Sequence, residues 1–164
     1  MQLYHKMILS AKREIEIQTP YFMPNESIRE ALKCASRSGV KVKIMIPLKC
    51  DERFVMMGSY SYIDELANAG CEFYFYKKGF LHSKTLMIDK SVVSIGSANL
   101  DFRSLEHNFE LTSVFYDEKI ANLHSEIFAK DLLDSERLNN RRWKERSKFM
   151  RIKESVARLF SPLF

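Results

Sequence analysis

The residues of this 164-residue sequence best suited to chemistry are a histidine, a lysine and an aspartate, at His82, Lys84 and Asp89. We predict that residues 81–88 and 92–96 form the two strands of a tight antiparallel hairpin. Because side chains alternate along a strand, His82 and Lys84 project from the same face, whereas Asp89 lies at the turn, far from His82. An imidazole and a cation thus share one surface.

A loop that begins at Gly96 supplies further polar groups. Counting outward from a turn on Asp89 and Lys90 places His82 opposite Ser97. The Ser97 hydroxyl and the Asn99 amide can donate hydrogen bonds where charge develops in a transition state, and a glycine permits close approach of the backbone. We therefore assign this loop to the same site.

Glu110 is a lone acid in an otherwise apolar strand predicted over residues 109–116. A carboxylate that faces a neighbouring strand can hold one ring nitrogen of His82 and present the other for attack. An imidazole with a pKa of about 6.5 is largely uncharged at neutral pH, so it can attack phosphorus or exchange a proton without a metal. With Lys84 facing the non-bridging oxygens, this set of residues predicts chemistry on a phosphate ester.

These residues resemble the HKD motif of the phospholipase D superfamily, whose histidine, lysine and aspartate correspond to His82, Lys84 and Asp89. Four further positions match that family's spacing, including the place of its histidine-orienting carboxylate, at Gly96, Ser97, Asn99 and Glu110. Several segments also resemble the C-terminal half of bacterial cardiolipin synthases, at residues 19–24, 96–104, 108–110 and 161–163. The resemblance runs through nearly the whole chain.

The resemblance implies a phospholipase D-like α/β domain that transfers a phosphatidyl group. Two molecules of phosphatidylglycerol react through a phosphohistidine to give cardiolipin and glycerol, with no metal or organic cofactor. In many two-motif members the N-terminal histidine is the nucleophile. By that analogy His82 protonates the glycerol leaving group and then activates the acceptor hydroxyl. The residues alone leave open which role His82 takes and which acceptor is used.

One histidine motif is too few for this reaction. In-line displacement places the attacking and leaving groups on opposite sides of phosphorus, so a second histidine is needed. His5, His107 and His124 have no lysine two positions on. We expect the second motif to come from a missing N-terminal half or from a second copy about a two-fold axis. We expect His124 to be a packing or surface residue and three other side chains to contact substrate, Tyr21, Phe22 and His107.

The segments that must position this site alternate between strand and helix patterns, which predicts an α/β fold with one mixed β-sheet flanked on both faces by helices. Asn25 is expected to cap the second helix, and Leu123, Ile127 and Leu132 to face inward on a later one. Further strands are predicted over residues 15–17, 40–46 and 71–76. Further helices are predicted over residues 3–11, 54–69 and 121–133. We assign residues 1–134 to the HKD catalytic domain and residues 135–164 to a basic amphipathic helical tail.

The basic charge of the chain is concentrated at its end, because residues 137–164 hold nine basic and two acidic side chains, whereas residues 1–136 hold 17 and 19. We expect the tail to lie on an anionic membrane surface, with Trp143 and Phe149 as anchors. The alternative is a helix packed on the sheet with a solvated basic face. The helix is predicted from apolar residues at steps of three and four, at Phe149, Ile152, Val156, Leu159 and Phe160.

The longest uncharged stretches are ten residues, so we expect no membrane span and no signal peptide. Three cysteines without ligand spacing indicate a reducing setting without structural zinc. We therefore expect this chain alone to be soluble, and the full-length protein to present it on the cytoplasmic side of the cell membrane.

Two other classes of function stay open. A homodimeric HKD nuclease would use the basic tail to bind a polyanion, but the net negative charge of residues 1–136 argues against nucleic acid as a partner. The second class is a catalytically silent half-module that docks on membranes or on a partner half.

Overall fold

A mixed sheet is the centre of the computed structural model, which describes residues 2–50, 53–139, 143 and 145–159. Within that part of the chain its seven strands are β1 (Glu14–Gln18), β3 (Lys41–Pro47), β4 (Glu72–Tyr76), β5 (Thr85–Ile88), β6 (Val92–Gly96), β8 (Thr112–Phe115) and β9 (Ser135–Arg137). Their order is β8-β6-β5-β1-β3-β4-β9. Two short parallel strands, β2 (Phe22–Met23) and β7 (Leu100–Asp101), pair with each other.

Helices cover both faces of this sheet, at α1 (Gln2–Ser10), α2 (Glu26–Arg37), α3 (Arg53–Asn68), α4 (Phe102–Glu106), α5 (Glu118–Leu133) and α6 (Lys148–Leu159). Residues of α1, α2 and α3 share a large apolar core with Ile15, Ile17 and Ile44 of the sheet. On the opposite face Phe128 of α5 packs with Met45. The predicted α/β fold, with a mixed sheet flanked on both faces, is confirmed.

The central strand β1 is buried on both faces, and its alternating side chains explain how. Its two isoleucines enter the large core, while Glu16 and Gln18 point to the α5 side. Glu16 accepts a hydrogen bond of 2.8 Å from Lys43, and Gln18 Nε2 donates one of 2.7 Å to Asp131 of α5. Each of these two side chains therefore has a partner, in β3 or in α5, although the second carboxylate oxygen of Glu16 is buried without a hydrogen bond.

The predicted cap of the second helix is confirmed. Asn25 has extended backbone angles, and its side-chain oxygen accepts a hydrogen bond of 3.1 Å from Ile28 N. The helix ends shortly before Gly39, whose φ of 91° is a left-handed conformation that glycine adopts without strain.

The predicted hairpin has a different length and register. Its turn does lie on Asp89 and Lys90, whose φ angles are 53° and 54°, and Ser91 N donates to Ile88 O over 3.0 Å. The turn contains one residue more than predicted, Ser91, because Ile88 pairs with Val92 rather than with Ser91. The register is therefore shifted by one residue from the prediction.

The first strand of this hairpin is also shorter than predicted. It begins at Thr85, so His82 precedes the ladder, and the prediction that His82 lies in a strand opposite Ser97 was wrong. Likewise β8 covers residues 112–115, and Glu110 lies before it rather than within a strand over residues 109–116.

The inward face of α5 differs from the prediction as well. Leu123 and Ile127 are exposed, Leu132 is partly buried, and the buried residues are Ala121, His124, Ser125 and Phe128. The reason is that Gln18 and Thr85 of the sheet present polar atoms to this helix, so α5 turns its own polar side chains toward them.

The end of the chain adds to the domain at two places. β9 pairs antiparallel with β4, and α6 packs against α3. Among the described residues, none of the helices has both the length and the hydropathy needed to cross a lipid bilayer.

Candidate active site

His82 and Lys84 lie side by side in an irregular segment that leads into β5. The His82 side chain is exposed, and its ring lies 5.3 Å from that of Phe80, centroid to centroid. The Lys84 ammonium donates a hydrogen bond of 2.9 Å to the His82 carbonyl oxygen. The lysine therefore folds back over the backbone of the histidine, and neither residue lies in a strand.

Two carboxylates act on Lys84. Partial burial lowers the pKa of its ammonium, and the negative charges of Glu110 and Asp101 raise it, with a net lowering. Asp101, which is buried at the start of α4, was not among the site residues predicted from the sequence. Asp101 accepts hydrogen bonds from Ser104 N at 2.7 Å and from Asn99 Nδ2 at 3.0 Å. Its position two residues after Asn99, a predicted site residue, is the sequence feature that could have identified it.

Ser97 joins the loop after β6 to the segment that carries Glu110. Its hydroxyl donates to the Glu110 carboxylate and accepts from Leu111 N at 3.0 Å, while Ser97 N donates to Leu111 O at 2.9 Å. No hydrogen bond joins Glu110 to His82 in the described part of the chain. The carboxylate predicted to hold the histidine thus holds the serine, and it acts on Lys84 through its charge.

Gly96 lies where β6 and β8 approach closely. A Cβ atom at this position would lie 2.4 Å from Leu111 O and 2.8 Å from the Thr112 Cα. Any larger residue would push the two strands apart, and it would move Ser97 away from Glu110.

Asp89 is at the opposite end of the hairpin from this cluster. Its carboxylate accepts hydrogen bonds from the backbone N–H groups of Lys12, Arg13 and Glu14, at 2.7, 2.7 and 2.9 Å. Partial burial raises the pKa of Asp89, whereas the hydrogen bonds from these three N–H groups lower it. The lowering effects are larger in sum, so the pKa lies below its ordinary value. In this geometry the aspartate of the motif fastens the hairpin tip to the start of β1.

The three predicted substrate contacts have different environments. Phe22 is 1% exposed and packs edge-on against Phe73, with 5.5 Å between ring centroids, so its ring has no surface for a substrate and that prediction is corrected. Tyr21 is half-buried at the same loop, and His107 is exposed beside Phe102. Tyr21 and His107 stay predictions.

A buried polar network lies directly behind Lys84. His124 Nε2 is 2.9 Å from Thr85 Oγ1, and Thr85 Oγ1 is 3.5 Å from Gln18 Oε1. Burial lowers the pKa of His124 to about 4, and the nearby Asp131 charge opposes this only in part. His124 is therefore an uncharged packing residue at neutral pH.

The donors of the site suit an anionic phosphate ester. Lys84 lies two residues after the exposed His82, and the Ser97 hydroxyl and the Asn99 amide lie on the loop that follows β6, the neighbouring strand of β5. Among the described residues, no group of three or more His, Cys, Asp or Glu side chains has an arrangement suited to a metal ion.

The fold is that of the phospholipase D-like class. The family described as "Cardiolipin synthase, PLD-like domain" matches residues 4–132, so the chain belongs to this phospholipase D-like family. Cardiolipin synthase 1 of Staphylococcus epidermidis is 46% identical over 160 residues, which are 98% of this chain and 33% of that protein. The chain thus spans about a third of the length of the curated relatives it matches.

Two solved structures share the fold. Nuc from Salmonella typhimurium, described as a phospholipase D family member, has a TM-score of 0.73 at 24% identity, over 84% of this chain and 90% of that chain. Phosphatidylserine synthase from Haemophilus influenzae Rd KW20 has a TM-score of 0.77 at 13% identity, over 99% of this chain and 42% of that chain. At these identities the likeness concerns the fold.

Proposed function

We propose that residues 1–134 are the C-terminal catalytic half of a phospholipase D-type phosphatidyltransferase, which converts two phosphatidylglycerol molecules to cardiolipin and glycerol. The observation that carries the proposal is the exposed imidazole of His82, with the Lys84 ammonium hydrogen-bonded to the His82 carbonyl oxygen, in a chain of this family. The 46% identity to cardiolipin synthases over nearly the whole chain supports the acceptor and the product.

The proposed reaction has two displacements at phosphorus. A histidine nitrogen of the second motif attacks the phosphorus of phosphatidylglycerol, the bond to the glycerol oxygen breaks, and His82 gives that oxygen a proton. The hydroxyl of a second phosphatidylglycerol then attacks the phosphohistidine and gives its proton to His82, and the P–N bond breaks. In a pair of identical chains, His82 of one copy is the nucleophile and His82 of the other the acid and base.

The remaining cluster stabilises charge on the phosphate. Lys84 balances the non-bridging oxygens, and the second amide hydrogen of Asn99 donates to them as the trigonal-bipyramidal transition state forms. Ser97 donates to them when its single hydroxyl hydrogen turns from Glu110 to the phosphate. Glu110 is a positioning residue, because it fixes the Ser97 hydroxyl, and its negative charge opposes the lowering of the Lys84 pKa by burial.

The second motif docks, in this proposal, on an apolar surface beside Glu110. Phe109 is fully exposed, Leu111 is 79% exposed, and Ile95 of β6 is exposed next to them. They adjoin β8, which is an edge strand of the sheet. Monomeric proteins rarely expose such apolar residues together, and about two-thirds of each curated relative lies outside the matched region. We assign this surface to the half that carries the second motif.

The proposed setting is the cytoplasmic face of the cell membrane, where the substrate lipids lie. Cys34, Cys50 and Cys71 form no disulfide within the described part of the chain, and a reducing compartment keeps cysteines in that state.

The experiment is turnover of phosphatidylglycerol vesicles by the natural full-length protein and by this chain, with products resolved by mass. His82→Ala should abolish cardiolipin formation, whereas His5→Ala on α1 should retain it. If this chain is active alone, two copies assemble the site. Retained activity of His82→Ala would overturn the site, and cleavage of DNA without lipid turnover would replace the proposal with the nuclease.

A further inference from the structure

The C-terminal helix α6 points its apolar stripe outward. Phe149, Ile152 and Val156 follow each other at steps of three and four, so they share one face, and they are 65%, 61% and 47% exposed. Among the described side chains of α6, the buried ones are instead Glu154 and Ala157, at 3% and 2% exposure. An amphipathic helix in a globular protein normally buries its apolar side. This helix does the reverse.

Charged contacts fix α6 in this orientation. Glu154 accepts a hydrogen bond of 2.6 Å from Arg146, and Arg158 donates one of 3.1 Å to Glu65 of α3. The Arg158 guanidinium also lies 4.4 Å from the centroid of the Tyr62 ring. Rolling α6 to bury its stripe would break these ion pairs and expose Ala157, so the outward stripe belongs to the folded domain.

Trp143, predicted as an anchor in the membrane, packs inward instead. Its ring lies 5.2 Å from that of Tyr60 and 5.9 Å from that of Phe75, between centroids, and the Arg146 guanidinium covers it at 3.5 Å. Of the other predicted stripe members, the side chain of Leu159 and the whole of Phe160 lie outside the described residues. The outward surface of the tail is therefore defined by Phe149, Ile152 and Val156.

Basic charge accompanies the stripe. The Lys153 ammonium lies 4.5 Å from the centroid of the Phe149 ring on the same exposed side. The sequence from residue 137 onward carries nine basic and two acidic side chains. A narrow apolar face next to cations is the composition of helices that lie in the interface of an anionic bilayer.

We propose that α6 is an interfacial helix that docks the domain on an anionic lipid surface. Phe149, Ile152 and Val156 enter the boundary between headgroups and acyl chains, and Lys153 stays among the phosphates. The lipid is favoured over a protein partner for two reasons. A stable protein interface takes about 800 Å² from each partner, more than three side chains supply. In addition, the half that carries the second motif already has a proposed docking surface elsewhere. That surface adjoins β8, at one edge of the sheet, whereas the segment that leads into α6 packs against β4, near the other edge.

The test is co-sedimentation of this chain with vesicles of phosphatidylcholine, with and without phosphatidylglycerol. The unmodified chain should bind the anionic vesicles, and binding should weaken as salt is raised. The variant with Phe149→Ser, Ile152→Ser and Val156→Ser should lower the partition coefficient about ten-fold or more. The matched control changes exposed apolar residues of α5, with Leu123→Ser, Ile127→Ser and Leu133→Ser, and should bind as the unmodified chain does.

Thermal unfolding shows whether each variant is folded. If the triple variant does not fold, the single variant Phe149→Ser replaces it in the binding measurement. Equal binding by the stripe and control variants would overturn the proposal. So would equal binding to neutral and anionic vesicles, or no binding by the unmodified chain. A stripe variant that changes the sedimentation of the free chain but not vesicle binding would show a contact between copies instead. None of these outcomes depends on catalysis, so the docking surface and the proposed reaction are tested separately.

Discussion

The hydroxyl of Ser97 donates its hydrogen to the carboxylate of Glu110. This contact links the loop after β6 to the segment before β8, and backbone hydrogen bonds between Ser97 and Leu111 reinforce it. One carboxylate therefore fixes a candidate phosphate ligand and also sets the charge environment of Lys84.

Replacing this carboxylate with an amide should change the pH dependence of turnover. In Glu110→Gln the negative charge that raises the pKa of Lys84 is lost, so that pKa falls further. The ammonium then loses its proton at a lower pH, and the alkaline limb of the activity profile should move to lower pH. We also expect the rate to fall by up to about a hundred-fold, because an uncharged amide oxygen holds the Ser97 hydroxyl more weakly than the carboxylate does.

The measurement is a pH–rate profile of the assembled two-motif enzyme, with Glu126→Gln on the exposed side of α5 as the control. An alkaline limb that does not move in Glu110→Gln would remove Glu110 from the environment of Lys84.

Asp89 should matter chiefly for stability. Asp89→Ala removes three hydrogen bonds to backbone N–H groups and places an alanine at a positive φ, so the free energy of unfolding should fall by about 3 kcal/mol. Asp89→Asn tolerates the same φ and keeps an acceptor oxygen, so it should cost less.

Denaturant unfolding measures these differences. Lys90→Ala is the matched control, because Lys90 has the same left-handed backbone without those hydrogen bonds, and its substitution should change stability little. If Asp89→Ala and Lys90→Ala were equally stable, the anchoring role of the Asp89 carboxylate would be wrong.

Acid should loosen the attachment of α6. Partial burial raises the pKa of Glu65, but hydrogen bonds from Lys33 and Arg29 and the charges of Arg29 and Arg158 lower it to about 2, from an ordinary 4.5. Because the pKa is lower in the folded state, Glu65 contributes stability above pH 4.5, and this contribution is lost as the pH falls toward 2.

The fluorescence of the single tryptophan, Trp143, follows this loss, since its ring packs near α3 against Tyr60. Glu65→Gln should flatten the acid transition, whereas Glu30→Gln, at a carboxylate that is 58% exposed, should keep it. An unchanged transition in Glu65→Gln would assign the acid sensitivity to other groups.

The sequence by itself determined the features that rest on local spacing. The cap on Asn25, the α/β alternation and the turn on Asp89 and Lys90 follow from the preferences of a few neighbouring residues, and the structure has all of them. The proposed phosphate chemistry also rests on residue types, because a histidine can exchange a proton, and a lysine with hydroxyl and amide donors can stabilise charge on phosphate oxygens.

The tertiary structure decided which groups meet. Ser91 shifts the hairpin register, and Glu110 contacts Ser97 rather than His82, since strand pairing depends on contacts between distant segments. The sequence pattern likewise did not determine that the apolar stripe of α6 faces outward. A helical period shows that apolar residues share a face, but the ion pair of Arg158 with Glu65 determines which way that face points.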